Sequence, residues 1–261
     1  MADPWALWGK TLRPGDVGDP THALLHHLAD VAAVSEVLWD DALADSTREL
    51  ITGGLGGTQA DARESLAFLA GLHDLGKACP GFQMLRREAL SPLRQAGFGL
   101  PRQVPGVPCY HGVVTTETLP AILQHQVGLA PQAAQVVAQA LGGHHGTWPT
   151  PLELQALRRW QIGEREWAAS REDITAALRQ ALQPPVTITW PEDTEASNTL
   201  ATLLAGVSAA ADWIGSMNCF FPYRASSANL PTYLMEARSR ARMAVGALHW
   251  TRIALPAGKA T

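Results

Sequence analysis

An all-α fold in a single domain is the reading that this 261-residue chain supports. Three observations carry it. Apolar residues recur at spacings of three and four along most of the length, strand-like alternation is confined to VTITW at 186–190, and neither a repeat nor a composition shift divides the chain. With 46% apolar and 17% charged residues the chain can bury a sizeable core, which excludes a disordered or fibrous protein. The expected domain covers residues 1–250, with 251–261 as a tail or the start of a linker.

Each element follows from a local signal. Asp19 as cap and Pro20 at the first position open a helix through THALLHHLADVAAVSEVLWDDAL, where Leu24, Leu28, Val31, Ser35 and Leu38 form a buried stripe. A short helix over 45–52 breaks at TGGLGGT, a flexible turn that lacks the Lys-Ser/Thr ending of a phosphate-binding loop. The spacing then predicts a helix over 58–75 with Gly76 as its stop, and another over 81–90. SPLRQAGFGLPRQVPGVP, 91–108, reads as a long loop. Helices are expected at 111–126, 131–142, 151–160, 164–183, 195–215 and 229–250. The loop GGHHGTWPTP follows the second of these.

Composition also bounds the function. No apolar run approaches the roughly 20 residues that span a bilayer, and MADPWALWGK is not a secretory signal. Three cysteines at unpatterned positions, Cys79, Cys109 and Cys219, suit a reducing compartment, so a cytoplasmic location without membrane contact is expected. A net charge of −4 argues against a surface that is basic all over, as nucleic-acid readers usually have. Nine histidines are the other notable feature.

The chemistry centres on His73-Asp74, a polar pair emerging from LAFLAGL. Adjacent helical residues point about 100° apart, so both can line one cavity only near a helix end. Alone, such a pair reads as a core histidine beside a capping aspartate. His26-His27 on an apolar helix, His111 at a helix start, His144-His145 in a Gly-flanked turn and Asp212 inside an apolar helix change that reading. A buried aspartate needs a cation or donors, and imidazoles with carboxylates from separate helices form a transition-metal ligand set. The cysteines take no evident part, which argues against a structural zinc site.

The strings HHLADVA, LHDLGKACPGFQ, YHGVVT, LGGHHGTWP and ADWIGS, between about residues 20 and 216, resemble the HD metal-dependent phosphohydrolase superfamily. More narrowly, the chain is similar to the HD nuclease domain of the CRISPR-associated helicase-nuclease of type I CRISPR systems. The resemblance implies an HD-type helical domain with His27, His73, Asp74, His111, His144, His145 and Asp212 as metal ligands, His27 being picked over His26. It implies two ions bridged by Asp74, one with His27, His73 and Asp212 and the other with His111, His144 and His145. Ions of the Fe²⁺, Mn²⁺, Ni²⁺ or Co²⁺ type suit such donors, with Zn²⁺ as a further possibility. Two ions can clamp a phosphodiester and activate water, and they supply the attraction that an acidic chain lacks.

What the resemblance implies about function is cleavage of DNA, preferentially single-stranded, in type I CRISPR interference. It also implies a helicase domain in cis or in trans and recruitment to a guide-RNA surveillance complex. No Walker A string occurs, so ATP is not expected to bind this chain. Lys77, taken as one turn beyond His73, is the expected catalytic cation, while Trp148, Trp213 and Ser216 are candidate substrate contacts. His22 and His26 read as packing or surface residues without carboxylate partners, His125 and His249 have no motif, and Arg238 and Arg242 read as a solvated face. A nucleotide phosphohydrolase or cyclic-nucleotide phosphodiesterase is the alternative within the superfamily, and a non-catalytic docking module the alternative outside it.

Overall fold

The computed structural model describes residues 2–101, 109–225 and 229–252; 102–108 of the expected long loop and 253–261 of the expected tail lie outside it. It is helical nearly throughout, as expected. At its centre is α1 (Leu24–Asp41), in which every residue from Leu24 to Trp39 is buried. A helix hydrophobic on all sides has to be enclosed by neighbours. Here α3 (Gln59–Gly71), α11 (Thr194–Gly215) and α12 (Leu230–Ala247) enclose it. Between and around these run α2 (Asp45–Leu55), α4 (Pro80–Gln83), α5 (Leu90–Gln95), α6 (His111–Ile122), α7 (Pro131–Gly142), α8 (Pro151–Ala156), α9 (Arg159–Ile162) and α10 (Arg165–Leu182). Among the described residues, no helix is long and apolar enough to cross a membrane.

Several boundaries differ from the sequence reading. Thr21–Ala23 is a strand, β2, paired antiparallel with β1 (Trp8–Thr11), so that Lys10 faces His22. Asp19 therefore caps no helix; its carboxylate accepts from the Ala225 N–H at 2.8 Å. The Ala23 and Leu24 N–H groups donate to Arg224 O and Leu7 O, both at 2.8 Å, which holds this segment extended. Conversely, VTITW forms no strand. Among the described residues it has no neighbouring strand to pair with, and Thr189 ties to the end of α2, its N–H donating to Leu55 O at 3.0 Å.

The helix expected over 58–75 starts with a Thr58–Asp61 capping box but ends at Gly71, where the Leu72 N–H bonds back to Leu69 O. A tight turn and a 3₁₀ segment, Leu75–Lys77, follow. The helix expected over 81–90 is split between α4, a 3₁₀ turn at Arg87–Ala89 and α5, which enters the expected loop and tolerates Pro92 in its first turn. The helix expected over 151–160 is likewise broken into α8 and α9.

Burying Leu24 to Trp39 encloses two carboxylates of α1, and each is paired. Asp30 lies 2.8 Å from His22 Nε2 and accepts from the Tyr233 hydroxyl at 2.9 Å. Glu36 receives a two-pronged bond from Arg238 at 2.6 and 2.7 Å. His22 thus does have a carboxylate partner, and Arg238 faces inward, both contrary to expectation. His26 stacks on Tyr233 with ring centres 3.8 Å apart.

Candidate metal centre

Five segments deliver polar side chains to one point beside α1. His27 comes from α1 itself, His73 and Asp74 from the turn after α3, and His111 from the start of α6. His144 and His145 come from the turn after α7, and Asp212 from α11. Because α3 stops at Gly71, both His73 and Asp74 can face the same cavity. Glycines allow the approach. A Cβ on Gly76 would stand 2.0 Å from His111 O, and one on Gly112 would stand 2.3 Å from Gly142 O. No side chain fits at either place, so the turn of His73-Asp74, the start of α6 and the end of α7 meet backbone to backbone.

Asp74 is the hub. Its Oδ2 lies 3.1 Å from His27 Nε2 and 3.4 Å from His73 Nε2, while Oδ1 lies 3.0 Å from His111 Nε2 and 3.6 Å from His144 Nε2. Asp212 Oδ1 faces the first pair, 3.2 Å from His27 Nε2 and 3.6 Å from His73 Nε2. His145 Nε2 closes the other side, 3.1 Å from His111 Nε2. The donors therefore form two sets that share Asp74. His27, His73, Asp74 and Asp212 make one, and Asp74, His111, His144 and His145 the other, with ligand atoms in each set within 4.8 Å of one another.

The donor chemistry fits divalent cations. His73 Nδ1 faces Ala70 O at 3.0 Å, and His144 Nδ1 faces Leu141 O. A backbone carbonyl at Nδ1 fixes the proton there and leaves Nε2 as a lone-pair donor. His73 Nε2, His144 Nε2 and Asp74 Oδ1 are all buried without a hydrogen-bond partner. Each unpartnered buried polar atom costs about 1–3 kcal/mol, so two imidazole nitrogens and a carboxylate oxygen left so at one point mark a place for a cation.

Protonation differs from one donor to the next. Burial pushes His27 down to about 4 and His144 down to about 3, with the Lys10 and His73 charges respectively adding to it. Both are neutral donors at pH 7. Burial also opposes charge on His73, but Asp74 and Asp212 outweigh it and raise His73 to about 9. Burial would raise both aspartates as well. The Lys77 and His73 charges hold Asp74 well below the usual carboxylate range, and the adjacent His27 and His73 rings do the same for Asp212. Loading a cation at neutral pH must therefore expel a proton from His73. Affinity should rise about tenfold per pH unit up to about pH 9 and level off above it. Calorimetry of Mn²⁺ binding at pH 7 in buffers of different ionisation enthalpy should report about one proton released for the set containing His73. Zero release would contradict this assignment.

Lys77 sits differently from expectation. The chain is not α-helical there, so Lys77 meets Asp74 Oδ2 across the 3₁₀ turn rather than extending the His73 face. It is buried and also donates to Gly9 O at 3.2 Å. Ser216, a candidate substrate contact, donates to Asp212 Oδ1 at 2.8 Å. Trp148 and Trp213 stand at the rim, 39% and 70% exposed.

Two participants escaped the sequence reading. Lys10 Nζ lies 3.3 Å from Asp212 Oδ1, and its side chain is 21% exposed against 6% for Lys77. Gln83 Nε2 donates to Trp8 O at 2.8 Å and to Lys77 O at 3.0 Å, lashing β1 to the turn of Asp74. Gln83 stands in the string HDLGKACPGFQ and was open to notice. Lys10 had no local signal, since only the β1–β2 pairing brings it to the site.

The family model for the Cas3 HD domain matches residues 8–221. The CRISPR-associated endonuclease/helicase Cas3 of Thermus thermophilus is 31% identical over 252 residues, which are 95% of this chain and 26% of that protein. The chain thus spans about a quarter of the length of that relative. The structure of the Thermus thermophilus Cas3 HD domain in the presence of Ni²⁺ superposes with a TM-score of 0.68 at 31% identity, covering 94% of this chain and 90% of that one. A chain in a pre-nicking CRISPR RNA-guided surveillance complex superposes with a TM-score of 0.73 at 25% identity, covering 93% of this chain and 29% of that one.

Proposed function

This chain belongs to the Cas3 HD-domain family, and from that premise we propose that it is a metal-dependent nuclease domain cutting single-stranded DNA in type I CRISPR interference. The observation that carries the reading is the trio of unpartnered buried atoms, His73 Nε2, His144 Nε2 and Asp74 Oδ1, at the junction of two donor sets. His27, His73 and Asp212 would hold one divalent ion and His111, His144 and His145 the other, with Asp74 shared. Such ions supply Lewis-acid polarisation of a phosphodiester and lower the pKa of an attacking water. The imidazole-rich donors suit Fe²⁺, Mn²⁺, Ni²⁺, Co²⁺ or Zn²⁺, and the Thermus relative was solved in the presence of Ni²⁺.

The remaining work falls to this chain's own side chains. Lys77, held between Asp74 and Gly9 O, orients the shared carboxylate and balances its charge. Lys10 is the cation with access to solvent, and it is suited to meeting an incoming phosphate oxygen beside Asp212. Ser216 fixes the Asp212 rotamer. Trp148 and Trp213 offer rings to unpaired bases. The partners proposed are single-stranded DNA, a helicase domain and a guide-RNA surveillance complex, in the cytoplasm. The domain unit proposed is 1–250, with 251–261 as tail or linker. Protein loaded with Mn²⁺ or Ni²⁺ should cut circular single-stranded DNA, whereas hydrolysis of free nucleotides alone would favour the phosphohydrolase alternative.

A further inference from the structure

The chain has nine Trp, five Phe and three Tyr. All of them lie within the described residues, and the exposed ones are Tyr110 at 66%, Trp148 at 39%, Trp213 at 70% and Trp250 at 39%. All four border the metal centre. Tyr110 and Trp148 line a cleft of about 350 Å³ whose floor includes His111 and His145. Trp213 and Trp250 line a second cleft, of about 440 Å³, with His144, His145 and Asp212. His145 belongs to both. The other large apolar side chains that are well exposed are aliphatic. Exposed rings are thus gathered at the rims of two clefts that meet at the ligands.

We propose that these clefts are base-stacking subsites that hold one nucleic acid strand on both sides of the metal centre, Tyr110 and Trp148 on one side and Trp213 and Trp250 on the other. The proposal rests on the nuclease reading and adds how the strand is held. Every base has a π-face, so stacking on such rings tolerates any sequence, and bases already paired and stacked in a duplex cannot reach them. A strand crossing from cleft to cleft passes over His145 without needing an end. Single strands are therefore selected by exposed bases rather than by a basic surface, which suits a chain of net charge −4.

The test measures strand binding by anisotropy with EDTA-treated protein, so that no cleavage intervenes. An oligothymidylate of about 16 nucleotides is compared with an abasic strand of the same length. The base-bearing strand should bind at least about tenfold more tightly, and Tyr110→Ala with Trp148→Ala, or Trp213→Ala with Trp250→Ala, should each remove much of that ratio. Trp148→Phe and Trp213→Phe keep a ring and should keep the preference. Equal affinity for the two strands, no binding of either, or alanine variants that bind oligothymidylate as tightly as the parent would overturn the proposal. Unchanged alanine variants would leave the rims to a polypeptide partner. Hydrolysis of bis(p-nitrophenyl) phosphate by the unmodified Mn²⁺-loaded protein tests the nuclease reading separately, since that diester carries no base.

Discussion

Replacing Asp74 by alanine should abolish strand cleavage, with a loss of at least about 10³-fold. That is well beyond the roughly 10–100-fold that loss of an outer-shell partner costs. Asp74 is within 3.6 Å of imidazole nitrogens from four histidines and is the one residue common to both donor sets. No neighbour can replace it, because Asp212 reaches only His27 and His73. The substitution also strands Lys77, which keeps a bond to Gly9 O but loses its counter-charge in a buried position. Breaking such a pair costs about 3–5 kcal/mol. Adding Lys77→Met should therefore restore much of the lost stability without restoring cleavage, separating the fold effect from the chemistry. Thermal melts and cleavage of labelled single strands check both halves. Cleavage near the parent rate in Asp74→Ala would remove the metal mechanism.

Gly76→Ala should be the most damaging single-methyl change near the site. Its Cβ would sit 2.0 Å from His111 O and 2.5 Å from Thr115 N, both backbone atoms that no rotamer change can move aside. Either the turn carrying Asp74 or the first turn of α6 must shift. Overpacking typically costs about 1–3 kcal/mol, and a clash with backbone belongs at the upper end, equivalent to a fall in Tm of roughly 6–12 °C for a domain of this size. The shift also draws His111 from Asp74, so the set of His111, His144 and His145 should lose metal affinity before the other does. A melt within about 2 °C of the parent would show that the backbone gives way easily there.

Much of this site was readable in the sequence because each candidate donor sits in a short string with its own spacing. The structure brings His27, His73, Asp74, His111, His144, His145 and Asp212 together, while His26 turns away to stack on Tyr233. The helices were legible for the same reason: long apolar periodicities such as those of α1 and α11 outweigh local exceptions. What escaped depends on contacts between distant segments. The short strands β1 and β2 carry too few residues to show alternation, and their pairing is what brings Lys10 to Asp212. VTITW has the alternation but no partner strand. LAFLAGLHDL is helical by pattern to its end, whereas α3 stops at Gly71 and the last residues turn to present His73 and Asp74 together. The same pattern carries the helix on to Lys77, whereas the chain is a 3₁₀ turn there and the burial of Lys77 against Gly9 depends on a strand that has no signal in the sequence.

One buried carboxylate, Asp74, is proposed to join two sets of donors into a dinuclear centre. The most direct test is metal stoichiometry after anaerobic Mn²⁺ or Fe²⁺ loading and removal of free ion, measured by elemental analysis against protein concentration. Two ions per chain in the parent, falling to one when His111 and His145 are replaced by alanine, is the expected result. One ion or fewer in the parent protein would contradict it.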